Sequence, residues 1–313
     1  MKISVVIPLY NKEKHIKRAI NSVLNQTYQE FEIIVINDGS TDNSVSKVKE
    51  INDRRIRLFN QKNGGVSLAR NNGIKESKTE LVAFLDADDE WKPQFLETII
   101  RLRDKYPQAG IYGTAYEFQT SNGNRIPAHY NEIPYDGWEG IVDDYFKTSI
   151  KNQLLCTSAV AIPKKVFNDV GYFTVGMTRG EDLSMWLRIV LKYDVAFSNN
   201  ICAIYYQDAD NRACNDKVAY SKSFISQAED FFDKTINNID KPLFFKEYMI
   251  RLFITKAMYL IEMGKRKEAR KLLRKYKYTK YFKKQLNVVY ISSFMPNKLN
   301  RFAFRFRAKL KSR

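Results

Sequence analysis

Histidine and cysteine are scarce in this sequence of 313 residues. Its two histidines, His15 and His129, argue against histidine-centred catalytic triads and histidine-rich metal sites. The three cysteines, Cys156, Cys202 and Cys214, are far apart and odd in number. They offer no disulfide framework and no zinc-finger spacing, so the composition fits a reducing compartment.

Long apolar runs are also missing. No stretch approaches the ~18 apolar residues that a membrane-spanning helix needs, and the best candidate, residues 247–263, is interrupted by Arg251 and Lys256. The first apolar run is too short for a signal peptide and lacks a small-residue cleavage site. We therefore expect a cytoplasmic protein that attaches, if at all, to the inner face of the cell membrane as a peripheral protein.

Acidic residues are scarce in one region only. The chain has 52 Lys+Arg and 35 Asp+Glu, a net charge of +17, but residues 241–313 hold 22 of the bases and 3 of the acids. A nucleic-acid-binding enzyme usually carries its basic surface around its site, so we expect no nucleic-acid partner. We predict one domain over residues 1–220 and a helical, basic region over residues 221–313.

The first hundred residues alternate between strand and helix patterns. Continuous apolar runs are typical of buried parallel strands, and each run is followed by an amphipathic stretch. The predicted strands are 3–9, 31–37, 56–59 and 81–86, and the predicted helices are 12–26, 41–52, 66–77 and 93–105. This succession predicts an α/β fold with a doubly wound, mostly parallel sheet and helices on both faces.

The pattern changes after Tyr106. IYGTAYEFQ (111–119) alternates and ends at a turn, which favours antiparallel strands, and residues 120–137 are typical of a loop. A strand is predicted at 159–163 and an amphipathic helix at 181–193. Beyond residue 220 the pattern is helical, with a turn at Gly264.

Three predicted strands end in residues suited to ligand binding: Pro8–Asn11, Asn37–Ser40 and Asp86–Asp89. In an open α/β sheet, ligands bind outside the carboxyl ends of the strands. The alternating acids of DADD (86–89) suit a hard cation such as Mg²⁺ or Mn²⁺. A solvated acidic loop or a helix cap is the alternative interpretation.

Three further motifs are each ambiguous alone. In NDGS (37–40), Asp38 and Gly39 suit either an ordinary turn or a base or ribose contact. Gly64-Gly65 before a helix, with Arg70, suits phosphate, or a flexible loop with a surface arginine. Glu181 and Asp182 begin a helix, where the dipole favours acids, and Asp182 is also a candidate general base.

Together these motifs resemble the family 2 glycosyltransferases, which have the GT-A fold. The resemblance covers roughly residues 1–210 and rests on five segments: SVVIPLYN (4–11), INDGSTDNS (36–44), GGVSLARNNGI (64–74), LVAFLDADD (81–89) and GEDLSMWLR (180–188). It implies inverting, metal-dependent transfer of a sugar from a nucleotide-sugar donor, with a UDP-sugar preferred. The expected acceptor is a hydroxyl of a glycan or lipid-linked molecule in surface polysaccharide biosynthesis.

The resemblance also assigns roles to individual residues. Asp182 corresponds to the catalytic base and is preceded by Glu181, and Trp186 on the same helix is expected to serve packing. Asp88 corresponds to the direct metal ligand for Mn²⁺ or Mg²⁺, with Asp86 nearer the ribose and the metal's waters. The implied nucleotide-sugar pocket consists of Pro8, Leu9, Tyr10, Glu13, Asp38 (the uracil-binding acid), Gly39, Arg70, Asp86 and Ala87.

The sequence departs from the family pattern in one place. Many members carry a histidine after the base helix, near the donor phosphates, but YYQDADNRACN (205–215) has none. Gln207, Asp208 or Arg212 is a candidate substitute, or water completes the coordination of the metal.

The basic end has apolar residues at helical spacing within residues 297–313, with arginines and lysines around them. Such a helix suits an anionic membrane surface, although packing onto the protein is an alternative. Two other functions also stay open. One is a nucleotidyltransferase, which leaves the Glu181–Asp182 helix without a role, and the other is a non-catalytic nucleotide-sugar-binding member of a glycan-assembly complex.

Overall fold

The computed structural model describes residues 1–134, 137–208, 220–238 and 242–295. The chain divides into two compact units, Met1–Phe224 and Ile225–Arg313. The functional division predicted from the sequence, after residue 220, stays a prediction.

A single mixed sheet organises the described part of the first unit. Its strands lie in the order β3-β2-β1-β4-β9-β6-β10-β5, with β7 beside β6 and β8 beside β10. The strands are β1 (Ile3–Leu9), β2 (Phe31–Asn37), β3 (Ile56–Asn60), β4 (Leu81–Phe84), β5 (Glu90–Trp91), β6 (Ile111–Gln119), β7 (Arg125–Pro127), β8 (Glu139–Ile141), β9 (Val160–Pro163) and β10 (Val195–Tyr206).

Helices cover both faces of this sheet, as predicted. Those of the first unit are α1 (Ile16–Leu24), α2 (Ser44–Lys49), α3 (Val66–Glu76), α4 (Phe95–Lys105), α5 (Tyr145–Thr148), α6 (Lys164–Val170) and α7 (Glu181–Val190). Alternate residues of β1, including Val5 and Ile7, join one buried cluster with residues of α1 and α4. The intervening Val6 meets α3, where a Cβ at Gly73 would lie 2.3 Å from its Cγ1. Both faces of β1 are therefore buried, which explains its continuous apolar sequence.

The half of the sheet from β3 to β4 is parallel, as the sequence predicted. The other half is mixed. β6 pairs antiparallel with β7 and β9, but its longest ladder, with β10, is parallel, so the antiparallel expectation for residues 111–119 was only partly right. The sequence reading missed β10 altogether. Polar residues at 198–200 interrupt its apolar pattern, at the point where the register with β6 shifts.

Three of the four predicted helix starts in the first half of the chain were too early, and the start at residue 66 was right. α1 begins at Ile16 rather than residue 12, because the backbone first forms a turn in which the N–H groups of His15 and Ile16 donate to the carbonyl of Lys12. Likewise α4 begins at Phe95, two residues after Pro93. Turn residues before a helix share its polar composition, so composition alone does not mark the boundary.

The second unit is helical in its described residues, as predicted. Its helices are α8 (Phe224–Thr235, which spans the boundary between the units), α9 (Pro242–Glu262), α10 (Arg266–Lys275) and α11 (Lys283–Ser292). α9 ends at the turn predicted at Gly264. Within the described residues, no helix combines the length and apolarity needed to cross a membrane.

Candidate active site

The carboxyl ends of β1, β2 and β4 lie side by side at one edge of the sheet. Leu9 is in register with Asn37 of β2, and the Leu9 carbonyl accepts a hydrogen bond from the Asp38 N–H at 2.8 Å. β4 continues into the DADD loop through a bond from the Leu85 N–H to the carbonyl of Val6. The three strand ends singled out in the sequence therefore share one rim.

Side chains after β1 tie this rim to the loop after β2. The Asn11 Oδ1 accepts from the N–H of Thr41 at 2.8 Å, and a Glu13 carboxylate oxygen accepts from the N–H of Asn43 at 2.9 Å. Pro8 and Leu9 lie within β1, with Leu9 fully buried, and Tyr10 follows at the rim with 46% of its surface exposed. Of the predicted pocket wall, Tyr10 is thus the side chain open to solvent, and Glu13 has a structural partner.

Asp38 is buried and receives three hydrogen bonds. Its Oδ1 accepts from the Gln61 side chain and the Gly64 N–H, both at 2.8 Å, and its Oδ2 accepts from the Gly65 N–H at 2.9 Å. Gly39 follows at a φ of 74°, where a Cβ would lie 3.0 Å from the backbone nitrogen of Asn63. The amides of the Gly64-Gly65 turn, which the sequence suggested for phosphate, therefore hold the Asp38 carboxylate.

Arg70 joins two motifs that are far apart in the sequence. From α3, its Nη2 donates to Asp86 Oδ1 at 2.8 Å and its Nη1 donates to Glu181 Oε1 at 3.0 Å. The guanidinium is almost fully buried and lies near the ring of Phe173. Burial opposes its charge, but the two carboxylates outweigh burial and hold the pKa of Arg70 above its usual value. Arg70 thus connects the DADD loop to the first turn of α7.

Asp88 forms an ion pair that the sequence reading did not anticipate. The Lys12 Nζ lies 2.7 Å from Asp88 Oδ2, and both side chains are largely buried. Arg18 of α1 donates from Nη2 to the backbone carbonyl of Asp88 and stacks on the ring of Tyr206. Lys12 directly follows the segment SVVIPLYN (4–11), but no sequence spacing links it to Asp88, 76 residues later.

The last acid of the DADD loop, Asp89, anchors the loop to the rest of the sheet. Its Oδ2 accepts from Ser158 Oγ at 2.5 Å and its Oδ1 accepts from the Tyr206 N–H at 3.0 Å. Ser158 Oγ also accepts from the Asp86 N–H at 3.1 Å. Burial, together with the charges of Asp88 and Asp86, raises the pKa of Asp89. Ser158 and Tyr206 were missed because only the tertiary fold brings them to this loop.

Asp182 lies in the first turn of α7, next to Glu181. Its Oδ1 accepts from the N–H of Leu183 at 2.6 Å. Burial and the charge of Glu181 raise the pKa of Asp182 to about 6, while Arg70 opposes the shift. Such a carboxylate is ionised at neutral pH yet more basic than an exposed aspartate, which suits a general base.

The remaining predicted residues are packed. Ala87 is buried within the DADD loop, and Trp186 is fully buried with its ring edge-on to Phe173. The packing role expected for Trp186 fits this position. Cys156, which the sequence reading left without a role, lies in the electrostatic neighbourhood of Asp89 and Asp182, and burial raises its thiol pKa, so it is a neutral neighbour of these acids.

The carboxylates of Asp86 and Asp88 are the predicted ligands for a metal. These are hard oxygen ligands of the kind that Mg²⁺ and Mn²⁺ prefer, so their chemistry fits the group. Within the ranges that the structure describes, no three His, Cys, Asp or Glu residues are grouped so as to hold a metal ion. Gln207 and Asp208 follow β10 as exposed residues, and Arg212 lies outside the described residues. The predicted protein ligands are thus two carboxylates, and further ligands would come from substrate or water.

The sequence profile described as Glycosyl transferase family 2 matches residues 4–171, which is more than half of the chain. The chain belongs to the family 2 glycosyltransferases. This confirms the resemblance and places β1 to β9 of the mixed sheet within the family region.

Curated relatives of this chain include two bacterial glycosyltransferases. Glycosyltransferase GlyA of Streptococcus pneumoniae is 38% identical over 164 residues, covering 50% of this chain and 23% of that protein. WfgD of Escherichia coli, named UDP-Glc:alpha-D-GlcNAc-diphosphoundecaprenol beta-1,3-glucosyltransferase, is 32% identical over 206 residues, covering 64% of this chain and 72% of that protein. The chain therefore spans under a quarter of GlyA but most of WfgD.

A solved structure extends the likeness in fold. TarS 1-349 of S. aureus, in complex with UDP-GlcNAc, superposes with a TM-score of 0.64 over 97% of this chain and 92% of that one. The sequences are 19% identical, so the likeness concerns the fold alone. The predicted GT-A type fold with a helical C-terminal part is confirmed.

Proposed function

We propose that this protein is a metal-dependent, inverting glycosyltransferase that moves a sugar from a nucleotide-sugar donor to a hydroxyl of a glycan or lipid-linked acceptor. The observation that carries the proposal is the bridge from Asp86 through Arg70 to Glu181. It brings the carboxylate loop after β4 and the acidic start of α7 into one site. In a nucleotidyltransferase, the acidic start of α7 would have no role.

Asp182 is the proposed base. At neutral pH its carboxylate is ionised and accepts the proton of the acceptor hydroxyl, which then attacks the anomeric carbon from the face opposite the leaving group. One displacement inverts the anomeric configuration and leaves a nucleoside diphosphate. No covalent sugar–enzyme intermediate is needed. The site therefore requires no second carboxylate to act as a nucleophile.

Asp38 is the proposed contact for the base of the nucleotide. A carboxylate has about four lone-pair positions, and the hydrogen bonds from Gln61, Gly64 and Gly65 use three of them. One position on Oδ2 is left for a donor such as the N–H of uracil. WfgD is named for UDP-Glc, which supports a UDP-sugar as donor.

Asp88 and Asp86 would hold the divalent cation, Mn²⁺ or Mg²⁺. When bound, such an ion neutralises the diphosphate and makes it a better leaving group. The residues of this chain keep that loop in place: Ser158 links Asp86 to Asp89, and Arg18 holds the carbonyl of Asp88.

The acceptor is proposed to be a lipid-linked glycan of surface polysaccharide biosynthesis in the cell envelope. The name of WfgD, which acts on a diphosphoundecaprenol-linked sugar, supports this acceptor class. An enzyme that uses such an acceptor works at a membrane surface. A peripheral position on the inner face of the cell membrane is therefore part of the proposal.

Exposed residues of the second unit support contact with an anionic membrane. Tyr278 is 87% exposed and Phe294 is 61% exposed, on either side of α11. Residues 276–295 contain four lysines and no acid. Aromatic and basic side chains together favour an interfacial, anionic surface. The helix predicted over 297–313 lies outside the described residues.

Deletion of residues 297–313 is expected to weaken sedimentation of the protein with anionic vesicles but not with neutral ones. Unchanged sedimentation with anionic vesicles contradicts the proposed membrane contact of this segment.

The decisive experiment is a donor screen. Purified protein is incubated with a panel of UDP-, GDP- and dTDP-sugars and a lipid-linked acceptor extract, with and without Mn²⁺, and release of nucleoside diphosphate is measured. We expect release from a UDP-sugar that depends on Mn²⁺. Release of pyrophosphate instead indicates nucleotidyl transfer, and donor binding by thermal shift without release indicates a non-catalytic binder.

A further inference from the structure

The ion pair between Lys12 and Asp88 stands out among the charges of the site. Its atoms are 2.7 Å apart, and the two side chains are only 11% and 17% exposed. Lys17, on the next turn, pairs with Glu50 where both side chains are about 45% exposed. Water and salt screen a buried pair much less than an exposed one. The attraction between Lys12 and Asp88 is therefore screened less than that between Lys17 and Glu50, whose carboxylate also binds Lys47.

The backbone that carries Lys12 is firmly held. Its N–H donates to Ser44 Oγ at 2.8 Å, and its carbonyl accepts from the N–H groups of His15 and Ile16, both at 2.9 Å. On the other side, Arg18 holds the carbonyl of Asp88. The fold thus holds the backbone on both sides of this ion pair, which places the ammonium group of Lys12 beside the carboxylate of Asp88.

Lys12 and Arg70 differ in how easily they can leave their acids. Arg70 is locked by Asp86 and Glu181 at once, within the buried part of the site. A lysine is a point charge on a flexible four-carbon stem and can swing away from a rigid backbone. Of the two cations, Lys12 is the one suited to exchange.

We propose that Lys12 is a built-in competitor for the divalent cation at Asp88. Its ammonium group pairs with the Asp88 carboxylate and would be displaced by a bound metal, because two cations held against one carboxylate repel each other. The inference rests on the proposed function, which assigns the metal to Asp88. Metal binding is consequently weak until the competing ammonium is displaced.

The test is Mn²⁺ binding in the absence of nucleotide. Binding is measured from the electron paramagnetic resonance signal of the free Mn²⁺. Lys12→Met keeps most of the length of the side chain and removes the charge, and we expect it to bind Mn²⁺ about tenfold more tightly than wild type. Lys12→Arg retains a cation and is expected to stay near wild type. The matched control, Lys17→Met, removes the same charge from the neighbouring exposed pair and is expected to change the affinity less than about twofold.

A folded Lys12→Met protein with wild-type affinity overturns the proposal. Should that variant fail to fold, reductive methylation of wild type decides: Lys12 is expected to become more reactive as Mg²⁺ is added, with Lys17 unchanged, and an unchanged Lys12 overturns the idea. Asp88→Asn separates the two proposals. If it weakens Mn²⁺ binding while Lys12→Met has no effect, only the competitor role is wrong. If Asp88→Asn leaves Mn²⁺ binding intact, the metal assignment itself is wrong.

Discussion

Residues 1–240 and residues 241–313 use charge differently. The first part has 30 basic and 32 acidic residues, and a few of its acids, among them Asp86 and Asp88, lie at one rim of the sheet, where they pair with arginine and lysine. The second has 22 basic and 3 acidic residues, and its described charges lie mostly at the surface. The comparison teaches that the net charge of +17 describes the C-terminal region and says nothing of the site.

Glu247 of α9 is the exception in the second unit. It is buried and accepts hydrogen bonds from Thr279 Oγ1, the Lys280 N–H and the Tyr281 N–H. Here a buried acid holds the loop between α10 and α11, whereas the buried Asp38 and Asp89 of the first unit lie at the proposed site. Substitutions of single acids in the two regions should therefore separate loss of transfer from loss of stability.

The largest effect is expected from Asp182→Asn. Loss of a general base lowers transfer by about 10²–10⁴-fold, with donor binding nearly unchanged, because the amide keeps the shape but cannot take a proton. Steady-state transfer and calorimetric donor binding measure the two properties. Asp104→Asn, an exposed acid of α4, is the control. Near-normal turnover in Asp182→Asn would remove Asp182 from the mechanism.

Glu247→Ala is expected to lower the stability of the second unit by about 1–3 kcal/mol, because it leaves buried donors without an acceptor. Hydrogen exchange over residues 276–282 should speed up, while donor binding stays as in wild type. Glu268→Ala, which removes an exposed acid of α10, is expected to change stability by less than about 0.5 kcal/mol. Equal losses of stability in Glu247→Ala and Glu268→Ala would show that burial does not make Glu247 more important to the fold than Glu268.

The pH profile of transfer should report the raised pKa of Asp182. The base is active when deprotonated, so kcat/KM should be nearly constant above about pH 7 and fall about tenfold per pH unit below pH 6. The profile is measured on wild type with donor and Mn²⁺ held constant. A decline that begins only near pH 4, the ordinary range of aspartate, contradicts the burial of this group.

The smallest effect is expected from an exposed pair on α8. Lys234 and Asp230 lie 2.9 Å apart, four residues apart in the helix, and both are about 70% exposed. A double-mutant cycle to alanine should give a coupling energy of about 0.3–0.5 kcal/mol. A coupling energy above about 1 kcal/mol would contradict the expectation that exposed ion pairs are weaker than the buried Lys12–Asp88 pair.

Much of the sheet could be predicted because local pattern and tertiary environment agree there. β1 and β2 are continuous apolar runs, and both ended where the sequence predicted, at Leu9 and Asn37. β10 escaped prediction because its partner β6 lies some 80 residues earlier, and the polar break at 198–200 hides the strand period.

At the site, the sequence identified the acids but not their partners. Asp38, Asp86, Asp88 and Asp182 were all chosen from motifs, and the structure brings Asp86 and Glu181 together on Arg70. The sequence did not predict that the Gly64 and Gly65 N–H groups bind the Asp38 carboxylate. A glycine-rich turn before a helix offers donors to any nearby anion, so its sequence alone does not identify the acceptor. The roles themselves stay predictions.

The sequence by itself determined the order of strands and helices over the first hundred residues, the residues at the rim and the separation of charge along the chain, because these follow from local periodicity and composition. Only the tertiary structure decided which charges meet. Lys12 reaches Asp88 across 76 residues and Ser158 reaches Asp89 across 69. Such pairings depend on strands that become neighbours in the sheet, and no local pattern records them.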